Sequence, residues 1–251
     1  MARRRRPKQE GSATQTLDGI ESAGDRIVIW LGENQRPILA AAAGILVLAG
    51  GWGYMSSSRA AAAESADAAL SEVQGAYRVA MGASVGGIVI PEPANAEAAR
   101  EIRTDFSTRY AAVGEAHSGT GPGAVAFLEA GKLQQALGDF EAAEAAYQAG
   151  LGSLDEGDAL RGFLWTRMGS VYEASDRWAE AASVYAQAGQ LEDYALSAGA
   201  TASAIRAYIH AGQPSAALGL ADELARRAPD FALPEFLQAR VDELRVTASS
   251  N

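Results

Sequence analysis

Beyond residue 120, apolar positions recur three and four residues apart, the period of a helix with one buried face, and the helical segments themselves repeat. Phe127, Ala130, Gly131, Gln134, Ala143, Tyr147 and Gly150 return 38 residues later as Trp165, Met168, Gly169, Tyr172, Ala181, Tyr185 and Ala188. The order is large, two residues, large, small, two residues, aromatic, followed after a turn by alanine, three residues and an aromatic. It describes two helices in contact. Gly131 or Gly169 on the first and Ala143 or Ala181 on the second mark where the helices touch, because only a small side chain lets them close. Trp165, Tyr172 and Tyr185 fill the surrounding space. The turns read Gly138-Asp139-Phe140 and Asp176-Arg177-Trp178. A third copy follows at a spacing of 36, with Tyr208, Ala217, Ala221, Leu224 and Pro229 at matching positions. Its first helix departs, with Thr201 at the large position and Ile205 at the glycine position.

This pattern resembles the tetratricopeptide repeat, a helix–turn–helix unit of about 34 residues, here with about four residues added between units. The resemblance implies stacked helix pairs whose first helices line a concave groove. Stepping outward from the core positions places Leu128, Lys132 and Gln135 of the first repeat in that groove. Phe163, Thr166, Ser170 and Glu173 of the second, and Arg206 and Ile209 of the third, follow by the same step. An exposed Phe163 would anchor a bound peptide, whereas a Phe163 turned against the neighbouring repeat would be core. Leu233 to Val246 reads as an amphipathic cap helix with Phe236, Leu237, Val241 and Leu244 on one side. Upstream, Arg59 to Met81 and Ala96 to Ala116 read as two antiparallel helices. The glycine-rich run Gly82 to Asn95 connects them.

A different pattern occupies the N-terminal part. From Pro37 to Ser58 no side chain is charged, and Ile38 to Met55 is mostly apolar between Arg36 and Arg59. About 20 such residues at 1.5 Å rise match a hydrocarbon core about 30 Å thick, so this is a transmembrane candidate. Pro37 suits a first helical position, and Trp52 and Tyr54 suit a membrane boundary. Residues 1–36 carry seven basic and five acidic side chains, +2, and residues 59–251 carry 14 and 26, −12. Positive flanking charge stays inside, which orients the N-terminus to the cytoplasm and the repeats outward. A cleaved signal peptide is the rival reading, with Ala60 to Ala63 as small cleavage residues. The 36-residue head and the length of the apolar run favour an uncleaved anchor. Leu17, Ile20, Gly24, Ile27 and Leu31 share one face of an interfacial helix, and Arg3 to Arg6 would sit near anionic lipid. Ala40 with Gly44, and Ala49 with Gly53, are small pairs four apart, the spacing for packing of membrane helices and homo-oligomer formation.

Composition and charge narrow the chemistry. The chain has 56 alanines among 251 residues and 7% aromatic residues, which favours helix over strand. It has no cysteine, so disulfides, thiolate nucleophiles and cysteine-based metal sites are excluded. A net charge of −10 argues against nucleic acid as partner. The two histidines, His117 and His210, each fall at a helix C-terminus and outside any ligand motif. Gly131-Lys132 lacks the remaining residues of a phosphate loop, and Asp155, Glu156 and Asp158 lack calcium-loop spacing. The reading is of a non-enzyme with no cofactor and no metal.

The segment Trp30-Leu31-Gly32-Glu33-Asn34 before the span, the glycine-rich end Gly51-Trp52-Gly53-Tyr54, the alanine-rich helix through Ala76-Tyr77 and the degenerate repeats together resemble the YfgM family, an ancillary subunit of the bacterial SecYEG translocon. The resemblance runs from about residue 17 to 245. The Arg3 to Arg6 run and the connector around Gly86-Gly87 depart from that layout. It implies a single-span inner-membrane protein with a periplasmic repeat domain, whose partners are the translocon, a membrane-anchored periplasmic chaperone and exported polypeptides. An envelope adaptor in cell-wall assembly or division is the alternative function for the same repeats. The expected architecture is all-α: a head over 1–36, a span over 37–58, a hairpin over 59–117, and about three repeats with a cap over 118–251.

Overall fold

The computed structural model describes residues 35–84 and 89–249, with side chains from residue 57 on. The chain divides into two units, Met1–Ser58 and Arg59–Asn251. The expected basic head with its interfacial helix lies outside the described residues. The expected packing of Ala40 with Gly44, and of Ala49 with Gly53, falls on positions whose backbone is helical but whose side chains and burial are not described. Neither Gly44 nor the other three is therefore placed in a helix–helix contact. Among the described residues no helix is long and apolar enough to cross a membrane.

All regular structure among the described residues is α-helical. Helix α1 spans Gln35–Ala80 and α2 Ala96–Ala116. Asn95 opens α2 by accepting from the amides of Glu97 and Ala98, which satisfies two N–H groups the helix leaves free. Helix α2 packs on the end of α1 through Leu70, Phe106 and Tyr110, with the Tyr77 ring 5.3 Å from Phe106 and 6.3 Å from Tyr110.

Three helix pairs follow. They are α3, Gly121–Leu137, with α4, Phe140–Gly152; α5, Leu160–Ala174, with α6, Trp178–Gln190; and α7, Ser197–His210, with α8, Pro214–Arg227. A last helix, α9, Glu235–Ser249, closes the array. The first helix of each pair turns into the second through a left-handed residue at the same place: Gly138 at φ 82°, Asp176 at φ 55° and Gly212 at φ 70°. That conformation reverses the chain within two or three residues and favours glycine; Asp176 is tolerated because a short polar side chain bears it best.

The helix pairs close where the repeat pattern places glycine. A Cβ on Gly131 would lie 2.4 Å from the Tyr147 ring, and one on Gly169 would lie 2.6 Å from the Tyr185 ring. Tyrosine from the second helix thus occupies the space of the missing side chain. In the third repeat the same two positions hold Ile205 and Ala221, buried together in one apolar cluster. Large and small residues have exchanged helices, so the departure seen in the sequence keeps the contact. Thr201, the other irregular position, is buried too; its hydroxyl donates to the Ser197 carbonyl and fills the space beside Gly189.

The core is continuous across repeats. One cluster joins Ala143 and Tyr147 of the first, Leu164, Met168, Tyr172 and Tyr185 of the second, and Ala204 and Ala207 of the third. No repeat buries its apolar faces alone, which makes this an all-α, tetratricopeptide-like solenoid. At its end α9 buries Leu237 and Val241, whereas Phe236, expected on the same side, is 66% exposed.

Candidate protein-binding face

Helices α3, α5 and α7 are neighbours along one side, with α3 in contact with α5 and α5 with α7. Four of the side chains expected to line a groove there form cross-repeat pairs. The Gln135 amide donates to the Ser170 hydroxyl at 3.1 Å, joining α3 to α5, and its carbonyl oxygen accepts from the Tyr147 hydroxyl at 3.3 Å. Arg206 donates to Glu173 at 2.7 Å, joining α7 to α5. Lys132 is held within its own helix by both carboxylate oxygens of Glu129, at 2.9 and 2.8 Å. The Thr166 hydroxyl donates to the Gly162 carbonyl and lies 3.2 Å from the Tyr194 hydroxyl. Leu128 is half-buried and packs on the core. Ile209 is half-buried and borders a small hollow with Arg206, His210, Phe236, Leu237 and Arg240.

Phe163 is 44% exposed, and its ring packs edge-on against Tyr194 at 5.0 Å. It therefore sits at the rim, where the α6–α7 loop crosses the start of α5. Tyr194 is held there because Gly162 has no side chain: a Cβ on it would lie 2.4 Å from the Tyr194 ring. Arg161 secures the preceding loop, donating to the carbonyls of Leu151 and Leu154 with its guanidinium 4.8 Å over Trp165.

The remaining core residues of the pattern support this face from behind. Phe127, Ala143, Tyr147, Gly169, Tyr172, Ala181, Tyr185 and Ala217 are buried, while Trp165 and Tyr208 are partly so. Burial pushes the phenols of Tyr147 and Tyr185 well above their ordinary range, which keeps both hydroxyls protonated. On the opposite side Tyr172 donates to Glu144 at 2.8 Å, and Arg177 ties Glu144 to Glu180 while covering the Tyr172 ring at 4.3 Å. The Tyr172 phenol is also pushed up, first by burial and then by that carboxylate.

The histidines take separate places. His117 ends α2, its carbonyl accepting from the Thr120 hydroxyl at 2.7 Å, and His210 stacks on Trp178 at 4.4 Å. Among the described residues no group of three or more His, Asp or Glu is placed to hold a metal ion. What the face offers is hydrogen-bonding and ionic side chains in register along successive helices, with aromatic rings at its rim. Sequence stepping missed Tyr194, Phe236 and Arg240, because they reach the face from a loop and from the cap helix. The glycine at 162, directly before Phe163, was the one local sign of an inserted ring.

No protein-family model matches the chain, and no curated protein matches it. Among solved structures it is similar to a Podosopora anserina protein described by its nearly identical TPR-like repeats, at 13% identity and a TM-score of 0.45, over 60% of this chain and 81% of that one.

Proposed function

We propose that this protein is a membrane-anchored scaffold for protein–protein interaction, with residues 37–58 as the anchor and the α3–α5–α7 face as the binding surface. The observation that carries the reading is the cross-repeat ladder Gln135–Ser170 and Glu173–Arg206. It holds successive helices at fixed spacing and presents a preorganised polar surface beside exposed rings, which lowers the ordering cost of binding.

The finer reading rests on the resemblance to the YfgM family: a bacterial inner-membrane protein with its N-terminus cytoplasmic and residues 59–251 periplasmic, working beside the Sec translocon and a periplasmic chaperone. The test is an affinity pull-down of the full-length protein in mild detergent beside a version beginning at Arg59. Translocon components and export chaperones are expected with the full-length form only. Retention by both forms of the same cell-wall or division proteins, without translocon, would replace this reading with the envelope-adaptor one.

A further inference from the structure

At the rim of the helix face above, a second surface that shares only Phe163 with it follows the edge where the inter-repeat loops run. Phe163 and Leu196 are 44% and 56% exposed there. Tyr194, 2% exposed, anchored against Gly162 and packed with Ala188 and Ala200, meets the Phe163 ring and lies two residues before Leu196 in the same loop. The support under the Phe163 ring is therefore built into the core, and Leu196 leaves the same anchored loop two residues further on. Rigid apolar groups left facing solvent on such a support mark a docking site more readily than mobile ones do.

The charge around them selects the occupant. The loop before α5 carries Asp155, Glu156 and Asp158, and the loop before α7 carries Glu192 and Asp193, with no lysine or arginine in either. None of the five has an ion-pair partner among the described residues. The nearby cations are already engaged or peripheral. Arg161 is turned onto the carbonyls of Leu151 and Leu154, and Arg227 reaches the Gly189 carbonyl and Glu223. Arg59 lines a hollow with Asp155 and Asp158, which leaves Glu156, Glu192 and Asp193 uncompensated.

We infer that this edge docks a partner polypeptide segment in which apolar side chains alternate with lysine or arginine. The apolar groups cover Phe163 and Leu196, and the cations meet Glu156, Glu192 and Asp193. An anionic lipid surface, the other apolar-seeking occupant, would be repelled by the same carboxylates. Electrostatic matching of this kind sets orientation and on-rate, while the apolar contacts at Phe163 and Leu196 supply most of the affinity.

The experiment measures fluorescence anisotropy of three labelled peptides with the full-length protein in nonionic detergent: alternating Leu/Lys, Leu/Glu and Ser/Lys. Leu/Lys is expected to bind at least about tenfold more tightly than either other peptide, a difference of about 1.4 kcal/mol. Phe163→Ser with Leu196→Ser should weaken Leu/Lys about tenfold, with a circular-dichroism melt of the variant checking that loss of the Phe163 ring from Tyr194 leaves the repeats folded. Glu156→Gln with Glu192→Gln and Asp193→Asn should weaken it similarly at low salt and remove most of its salt dependence. Equal binding of Leu/Glu, or unchanged binding by the variant altered at Phe163 and Leu196, would overturn the inference. So would loss of Leu/Lys binding on Gln135→Ala with Arg206→Ala instead, which would assign the peptide to the helix face. In proteoliposomes containing anionic lipid, a photoreactive group at position 196 should label added Leu/Lys peptide; labelling of lipid in its place would also overturn it.

Discussion

Exchanging the large and small residues of the second repeat, Gly169→Ile with Tyr185→Ala, would convert its helix contact into the one the third repeat already uses, Ile205 against Ala221. Each single change is expected to be costly. Tyr185 is 4% exposed, so truncation to alanine should cost about 3–5 kcal/mol. An isoleucine at 169 would set its Cβ 2.6 Å from the Tyr185 ring. Overpacking of that kind costs about 1–3 kcal/mol, offset by about 0.5 kcal/mol because isoleucine is a better helix former than glycine. Were the two sites independent, the double variant would lose about 3.5–7.5 kcal/mol, the sum of the singles. Complementary packing predicts that it loses less than Tyr185→Ala alone, because isoleucine enters the volume the ring vacates. The favourable coupling should then exceed the net cost of Gly169→Ile alone, about 0.5–2.5 kcal/mol. Urea unfolding of the four proteins of the cycle, followed by far-UV circular dichroism and tryptophan fluorescence, measures it. Additivity within about 0.5 kcal/mol would refute the size-exchange argument.

Three other outcomes follow from the same contacts. Asp176→Gly should raise stability by up to about 1 kcal/mol, since the left-handed turn costs an L-residue but not glycine, while Asp176→Val should lower it; the shift in urea midpoint decides. The phenols of Tyr110, Tyr147 and Tyr185 are raised in the folded state by burial. Their contribution is therefore fully present below the unfolded phenol range, about pH 10, and is lost as pH rises beyond it. Thermal midpoints should fall steeply from about pH 10 to 12, and less steeply in Tyr185→Phe; a flat profile would contradict the assignment. Arg206→Ala should cost about 1 kcal/mol at low salt, because its bond to the partly buried Glu173 crosses between repeats. A double-mutant cycle with Glu173→Gln, at low and at high salt, checks the size and the screening of that term.

Much of the repeat architecture was legible because its determinants are local. Gly131 and Gly169, Ala143 and Ala181, and the turn at Gly138 act within one helix pair, and a spacing of 38 exposes them without any knowledge of the fold. The third repeat was harder, since Thr201 and Ile205 break the residue types while keeping the volumes. Only the partner position, Ala221, shows why. On the candidate face, stepping by helical period found Gln135, Ser170, Glu173 and Arg206, but not that they pair across repeats. Phe163 stood out as a residue, yet its place at the rim depends on Tyr194, 31 positions further along the chain.

The amino-acid sequence by itself determined the helical class, the repeat period, the turns and the absence of cysteine chemistry, since each follows from side-chain size, backbone conformation or composition over a few residues. It also carries the uncharged run 37–58 and the charge asymmetry about it. The tertiary structure decided how successive repeats rotate onto one another. That rotation is set by packing between residues more than 30 positions apart, and it alone brings Gln135 to Ser170, Glu173 to Arg206 and Tyr194 to Gly162.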